Sequence, residues 1–321
     1  MALVAVVLAA AACSGGNFDP PSLVESVRIL ATQADLPYAQ PGETVTLRML
    51  AVDGRADTSR PMQLYWLPAV CEDPPGDLYY ACYAGFARAF APGVDLGPQL
   101  SAGAALSFTM PADAITARAP RPGDGGDPFG IVYAFAIACA GHVEYVPVDP
   151  ATQSPASNPF GCFDDARNAL GADDFVFAFT RVYAFADRRN ANPVIDHLTF
   201  GGTPVDPAAG ITVPHCTASQ QSDCPTTDLD TVVPDSSQEP NPADVDAAGH
   251  VAGEVIWVDY YATAGRVKTD APLLFDAHTG RVSGSGDPFE APLAAGDQTL
   301  WAVVHDDRGG ASWVTVPMHV Q

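Results

Sequence analysis

Carboxylates and phenol rings crowd into one short stretch, "CEDPPGDLYYACYAGF". Glu72, Asp73 and Asp77 stand beside Tyr79, Tyr80, Tyr83 and Phe86. Aromatic faces stack on apolar surfaces of sugars or peptides, and carboxylates accept their hydrogen bonds. Two readings follow: a binding loop, or a loop folded down on the protein body with its rings as plugs.

Other carboxylates sit among glycines. "RPGDGGDPFG" offers Asp124 and Asp127, "GSGDPFE" offers Asp287 and Glu290, and "HDDRGG" offers Asp306 and Asp307. Calcium needs about six to eight oxygens converging from a tight loop. None of these stretches has the acidic spacing of an EF-hand, so they read first as turn formers. Calcium is the one cofactor the sequence brings into view, and the expectation is none.

Catalytic patterns are absent from the sequence. His142, His197, His215, His250, His278, His305 and His319 are scattered, and no pair has metal-ligand spacing. His305 and His319 flank the last predicted hairpin and could meet across it. Ser285 has Ser283 two residues before it, where a nucleophile elbow requires glycine. No phosphate-binding or dinucleotide fingerprint occurs. Asp-Asp doublets point to opposite faces of a strand and make no catalytic pair. The sequence therefore predicts a non-enzymatic protein.

The chain has seven cysteines: Cys13, Cys71, Cys82, Cys139, Cys162, Cys216 and Cys224. Setting Cys13 aside leaves an even number, arranged as three close sequential pairs around polar loops. Local pairing is expected: Cys71–Cys82, Cys139–Cys162 and Cys216–Cys224. None has Cys-x-x-Cys spacing, so zinc and thioredoxin-like chemistry gain no support. Disulfides imply an oxidising compartment.

Cys13 ends an unbroken apolar run, "MALVAVVLAAAAC". The run is shorter than the roughly 20 residues that span a bilayer, and matches the apolar core of a signal peptide. "LAAAAC" resembles the lipobox of bacterial lipoproteins. That resemblance implies a signal peptide over residues 1–12, a lipid on the Cys13 thiol and a tether over 13–21. Ser14 after the cysteine implies, by the same resemblance, the outer membrane of the cell envelope. The alternative is an ordinary cleaved secretory signal.

Composition narrows the partners. Net charge is −23, and Lys268 is the single lysine among 15 basic residues. Nucleic acid is excluded, because phosphates would be repelled. Anionic headgroups are poor partners for the same reason, so a membrane would be held through acyl chains. Hydrophobic residues reach 47%, which excludes wholesale disorder.

The elements that must position these residues are strands. "ETVTLRMLAVD" sets Val45, Leu47, Met49 and Ala51 against Thr44, Thr46 and Arg48, the period of a half-buried strand. "PMQLYWLPAV", "AALSFTM", "GIVYAFAIACA" and "DDFVFAFTRVYAFAD" follow between turns, and no segment carries a helical stripe. The pattern predicts an all-β chain of two immunoglobulin-like antiparallel β-sandwich domains with long disulfide-stapled loops. The first spans 22–187, with loops at about 71–103, 111–129 and 147–173. Residues 188–193 read as a linker. The second spans 194–321, with an exposed acidic insertion at about 217–250. "GDPF" occurs at 126–129 and 286–289, and Trp66 and Trp257 each lie on a mid-domain strand. Together these suggest two copies of one sandwich type.

The chain resembles tandem immunoglobulin-like proteins of the bacterial envelope. Its "YWLP" and "IWVDYY" strands carry the resemblance, and its closing "LWAVVHDDRGGASWVTV" is similar to the final hairpin of PKD-type modules. The resemblance implies a spacer or binding and adhesion module with an envelope protein or glycan as partner. Rival expectations are a secreted hydrolase or carbohydrate-binding accessory with its site on the first-domain loops, and a structural subunit of an envelope assembly.

Overall fold

The computed structural model describes residues 21–119, 127–149, 151–245, 249–269 and 271–321. Cys13, most of the 13–21 tether, and Asp124 lie outside the described residues. Among those described, no helix is long and apolar enough to cross a membrane.

Period-two alternation builds the first sandwich. Its strands begin with β1 (Val27–Ala34), β2 (Tyr38–Ala39), β3 (Thr44–Asp53) and β4 (Gln63–Trp66). Short strands β5 (Cys71–Glu72) and β6 (Ser101–Ala102) flank helix α1 (Tyr83–Ala89). Then come β7 (Ala105–Thr109), helix α2 (Ala114–Ala117), β8 (Phe129–Cys139), β9 (His142–Tyr145), β10 (Phe160–Phe163) and β11 (Phe175–Phe185). One sheet has the order β1-β3-β7 and the other β2-β11-β8-β4-β6, with β2 parallel to β11. Inward residues Val45, Leu47, Trp66, Val132, Ala134 and Val182 fill the space between them.

The second half repeats this plan. Its strands are β12 (His197–Phe200), β13 (Thr203–Val205), β14 (Ile211–Val213), β15 (Thr226–Val232), β16 (Pro240–Val245) and β17 (Val251–Gly253). They continue with β18 (Ile256–Ala262), β19 (Arg266–Val267), β20 (Leu273–Asp276), β21 (Gly280–Arg281), β22 (Asp287–Glu290), β23 (Gly296–Asp306) and β24 (Ala311–Val320). The sheets run β13-β12-β15-β22-β19 and β14-β24-β23-β18-β20-β21. In each half a short strand pairs in parallel with the last long strand: β2 with β11, and β14 with β24. The chain is all-β, and this strand order is immunoglobulin-like in both halves.

Several expectations are corrected. The stretch 217–250 is not simply an acidic insertion. It contains β15, a core strand with Leu229 and Thr231 turned inward and Asp228 and Asp230 outward. Its carboxylates mask an alternation that packing then uses. The "GDPF" copies are not equivalent: Asp127 to Phe129 lead into β8, whereas Asp287 to Phe289 lie in β22. Trp66 is fully buried, but Trp257 alternates with the inward Ile256 and Val258 and points away from the core. A helix, α1, also stands where none was predicted. Its seven residues are too few for a stripe, yet Tyr83 and Phe86, three apart, bury the same face.

The sandwiches meet at a built joint. Asn192 Nδ2 donates to Ala34 O at 2.8 Å, and Ala311 N–H donates to Asn192 Oδ1 at 2.9 Å. Gln33 Nε2 donates to Ala311 O at 2.6 Å, and Asn190 Nδ2 to Asp306 Oδ2 at 3.0 Å. Val24, Leu30 and Trp301 form an apolar cluster with Leu50, Val52 and Tyr261. The 188–193 segment is thus clamped, with Asn190 only 5% exposed.

Candidate functional site

The acidic-aromatic loop forms a third layer on the first sandwich. Strand β8 is buried on both faces, so its residues read as an unbroken apolar run. One face meets the sandwich core. On the other, Ile131, Phe135 and Ile137 lie beneath Tyr83, Phe86 and Phe90 from the loop. Gly130 permits a further close approach: a Cβ there would collide with the Ala114 carbonyl of α2. Cys71–Cys82 and Cys139–Cys162 staple this layer down, and Cys216–Cys224 closes a loop of the second sandwich.

Most of the loop's chemistry is spent on holding it in place. Tyr83 is buried, which raises its phenol well above the usual value. Tyr79 stacks on Phe179 at 4.1 Å between centroids and meets Tyr80 edge-on. Asp73 and Asp77 adopt left-handed backbone conformations, with φ of 36° and 53°. Asp73 Oδ1 accepts the Ile131 N–H at 2.8 Å, and burial raises its carboxyl despite that bond and Arg118. Glu72 is raised by burial, then by Asp113. Asp77 forms an ion pair with Arg118 at 3.0 Å, and its carbonyl accepts Tyr133 Oη–H at 2.7 Å. The rings act as plugs over the sheet. Beside the staple remains an apolar hollow of about 390 Å³, lined by Leu67, Val70, Phe86 and Phe90.

The remaining carboxylates are dispersed. Asp127 borders a hollow beside Arg188. Asp287 is fully buried in β22 and accepts the Thr269 N–H at 3.0 Å. Asp306 Oδ1 accepts backbone N–H groups of Arg308 and Gly310, and Asp307 accepts that of Val255. The Asp306 bonds shape the turn between β23 and β24, and those of Asp287 and Asp307 tie separate segments together. No group of three metal-ligating side chains forms among the described residues. His305 and His319 do not meet: β23 and β24 pair His305 with Ala311 and Asp297 with His319, at opposite ends of the hairpin. His319 bonds Asp297 at 2.8 Å, and His305 lies 3.2 Å from Asp259 while stacking on Trp257.

The larger concavity lies elsewhere, at the joint. A cleft of about 460 Å³ is lined by Thr32, Phe179 and Arg181 of the first sandwich and by Trp257, His305 and Gly309 of the second. Aromatic faces and polar groups converge there, as in many sites between domains. The sequence points to it in one respect only. Alternation with Val258 and Tyr260 turns Trp257 outward, but nothing local places β11 opposite it.

No family model matches the chain, and no curated protein matches it in sequence. Among solved structures it is similar to the tandem Ig repeats of Dlar, at 9% identity over 92% of this chain and 98% of that one, with a TM-score of 0.23. The fibronectin(III)-like modules of Clostridium thermocellum CbhA give 9% identity, coverage of 91% and 94%, and a TM-score of 0.21. Escherichia coli alpha-2-macroglobulin gives 12% identity over 95% of this chain but 22% of its own length, with a TM-score of 0.22. Overlaps this loose carry no argument about role. The fold assignment rests on strand order and packing.

Proposed function

We propose that the chain is a non-enzymatic protein of the cell envelope, anchored by lipid at Cys13, that holds two immunoglobulin-like sandwiches as one unit and binds a partner. The observation that carries this reading is the joint. Asn190, Asn192 and Gln33 bridge the two halves, and Val24, Leu30 and Trp301 pack between them. A mere string of modules has no need of such a joint, whereas a spacer that presents a surface at fixed orientation does. The three disulfides suit export to an oxidising compartment. The apolar run before Cys13 supplies the anchor, and Ser14-Gly15-Gly16 begins the tether. The outer membrane is the proposed location.

Membrane fractionation tests the reading. The wild-type chain partitions with envelopes, and Cys13→Ala releases it to the soluble exported fraction. Retention of the Cys13→Ala chain in membranes would overturn the anchor.

A further inference from the structure

Strand β11 has an unfilled side. It pairs with β8 along its whole length, from Phe175 to Phe185, without a register shift. On the opposite side it pairs with β2 only at Tyr183 and Ala184. There the Tyr183 N–H donates to Pro37 O at 3.2 Å. That bond fixes the parity of the strand. Backbone groups of alternate residues point to the same edge, so those of Phe177, Phe179 and Arg181 face away from β8. Among the described residues, no strand pairs with them on that side.

The gap has a topological cause. The chain leaves β1, which belongs to the other sheet, and reaches the β11 edge only at Tyr38. The place beside Phe177–Arg181 therefore has no hydrogen-bonded strand, and β1 of the other sheet borders it across the cleft. It opens into the joint cleft, where Phe179 and Arg181 form one wall, Ile29 and Thr32 of β1 the second, and Trp257 the end.

We propose that this slot binds an extended segment of another protein, which adds as a short strand beside β11. The proposal rests on the binding role proposed above and names the ligand for it. Three observations select this occupant. Donors and acceptors repeat every second residue, roughly 6.7 Å apart, a spacing matched by another extended backbone. Phe179 stacks on Tyr79 with one face yet stays 40% exposed, and its uncovered part offers an apolar seat for alternate side chains of the incoming strand. Arg181 is exposed, lies over the Tyr183 ring at 5.7 Å, hydrogen-bonds the Tyr133 side chain and forms no ion pair among the described residues. It selects one carboxylate in the segment. The slot from Phe177 to Arg181 accepts about five residues, roughly 16 Å of strand.

Hydrogen exchange on the full-length chain tests this. The probe is a synthetic peptide of about eight residues that alternates valine with threonine and carries one central aspartate. A second peptide carries lysine in its place. In the free chain, amides of Phe177, Phe179 and Arg181 should exchange fast, while those of Ala178, Thr180 and Val182 are protected by β8. The aspartate peptide should slow the first set. Arg181→Pro removes an N–H that faces the slot and leaves the bonds to β8, and should weaken binding about tenfold. Arg181→Glu keeps the backbone and should weaken the aspartate peptide roughly fivefold while favouring the lysine peptide. Slow exchange of the three amides without peptide, or protection confined elsewhere, would overturn the slot. So would occupation of the cleft by chitohexaose while neither peptide binds. Protection elsewhere would still leave a binding role intact, and the Cys13→Ala fractionation is independent of every outcome.

Discussion

Glu254 should make the protein lose stability as pH rises toward neutrality. Its side chain is 1% exposed. Arg308 Nη1 lies 3.0 Å from Oε1, yet no aligned hydrogen bond reaches that oxygen. The Glu239 N–H donates to Oε2 at 3.2 Å, and the nearby Asp306 adds repulsion. Burial outweighs the attraction of Arg308 and pushes the carboxyl from 4.5 up to about 7. The folded chain thus holds a proton that the unfolded chain releases near 4.5. Stability from this group is full below about pH 4.5 and is lost as pH rises through about 7. At 1.36 kcal/mol for each pH unit, the loss is about 3 kcal/mol at most. Glu254→Gln keeps the shape without the charge. Urea unfolding of both chains at pH 5 and pH 8 should give similar stabilities at pH 5, and a variant more stable by about 1–3 kcal/mol at pH 8. An equal difference between the chains at both pH values would refute the reasoning, because the charge of Glu254 would then cost nothing.

Other predictions address the staples, the joint and metal binding. Replacing both Cys139 and Cys162 by alanine opens a loop of sequence separation 23 and should cost about 3 kcal/mol in denaturant unfolding. Asn192→Ala removes two bonds across the joint and should cost about 1–3 kcal/mol, seen as a lower melting temperature. An unchanged melting temperature would mean that the apolar cluster alone holds the halves. Melting in calcium and in a chelator should coincide, since Asp287, Asp306 and Asp307 are occupied by backbone N–H groups. A shift of several degrees would show that calcium recruits them.

Much of the architecture is local and therefore legible in the sequence. Alternation along "ETVTLRMLAVD" places Val45, Leu47 and Met49 inward, because a strand turns successive side chains to opposite faces. Close spacing similarly makes each cysteine's nearest partner its neighbour along the chain. Where local composition conflicts with packing, the sequence misleads. Asp228 and Asp230 make β15 look like loop, and only the opposing Tyr260, whose hydroxyl lies 2.8 Å from Thr231 Oγ1, shows why the strand is buried. The seven residues of α1 are too short to signal a helix and fold only against β8.

Tertiary structure alone decided the site. The same aromatic loop can bind or plug, and the choice depends on whether β8 has a second face to cover. Trp257 and Phe179 lie far apart in sequence and border one cleft because the two sandwiches are clamped at Asn190 and Asn192. The open edge of β11 likewise follows from where the chain crosses between sheets. Period two states which residues face inward, but it does not state which strand edges are left without a neighbour. That depends on pairings between segments more than a hundred residues apart, such as Tyr38 with Tyr183, and no local pattern encodes them.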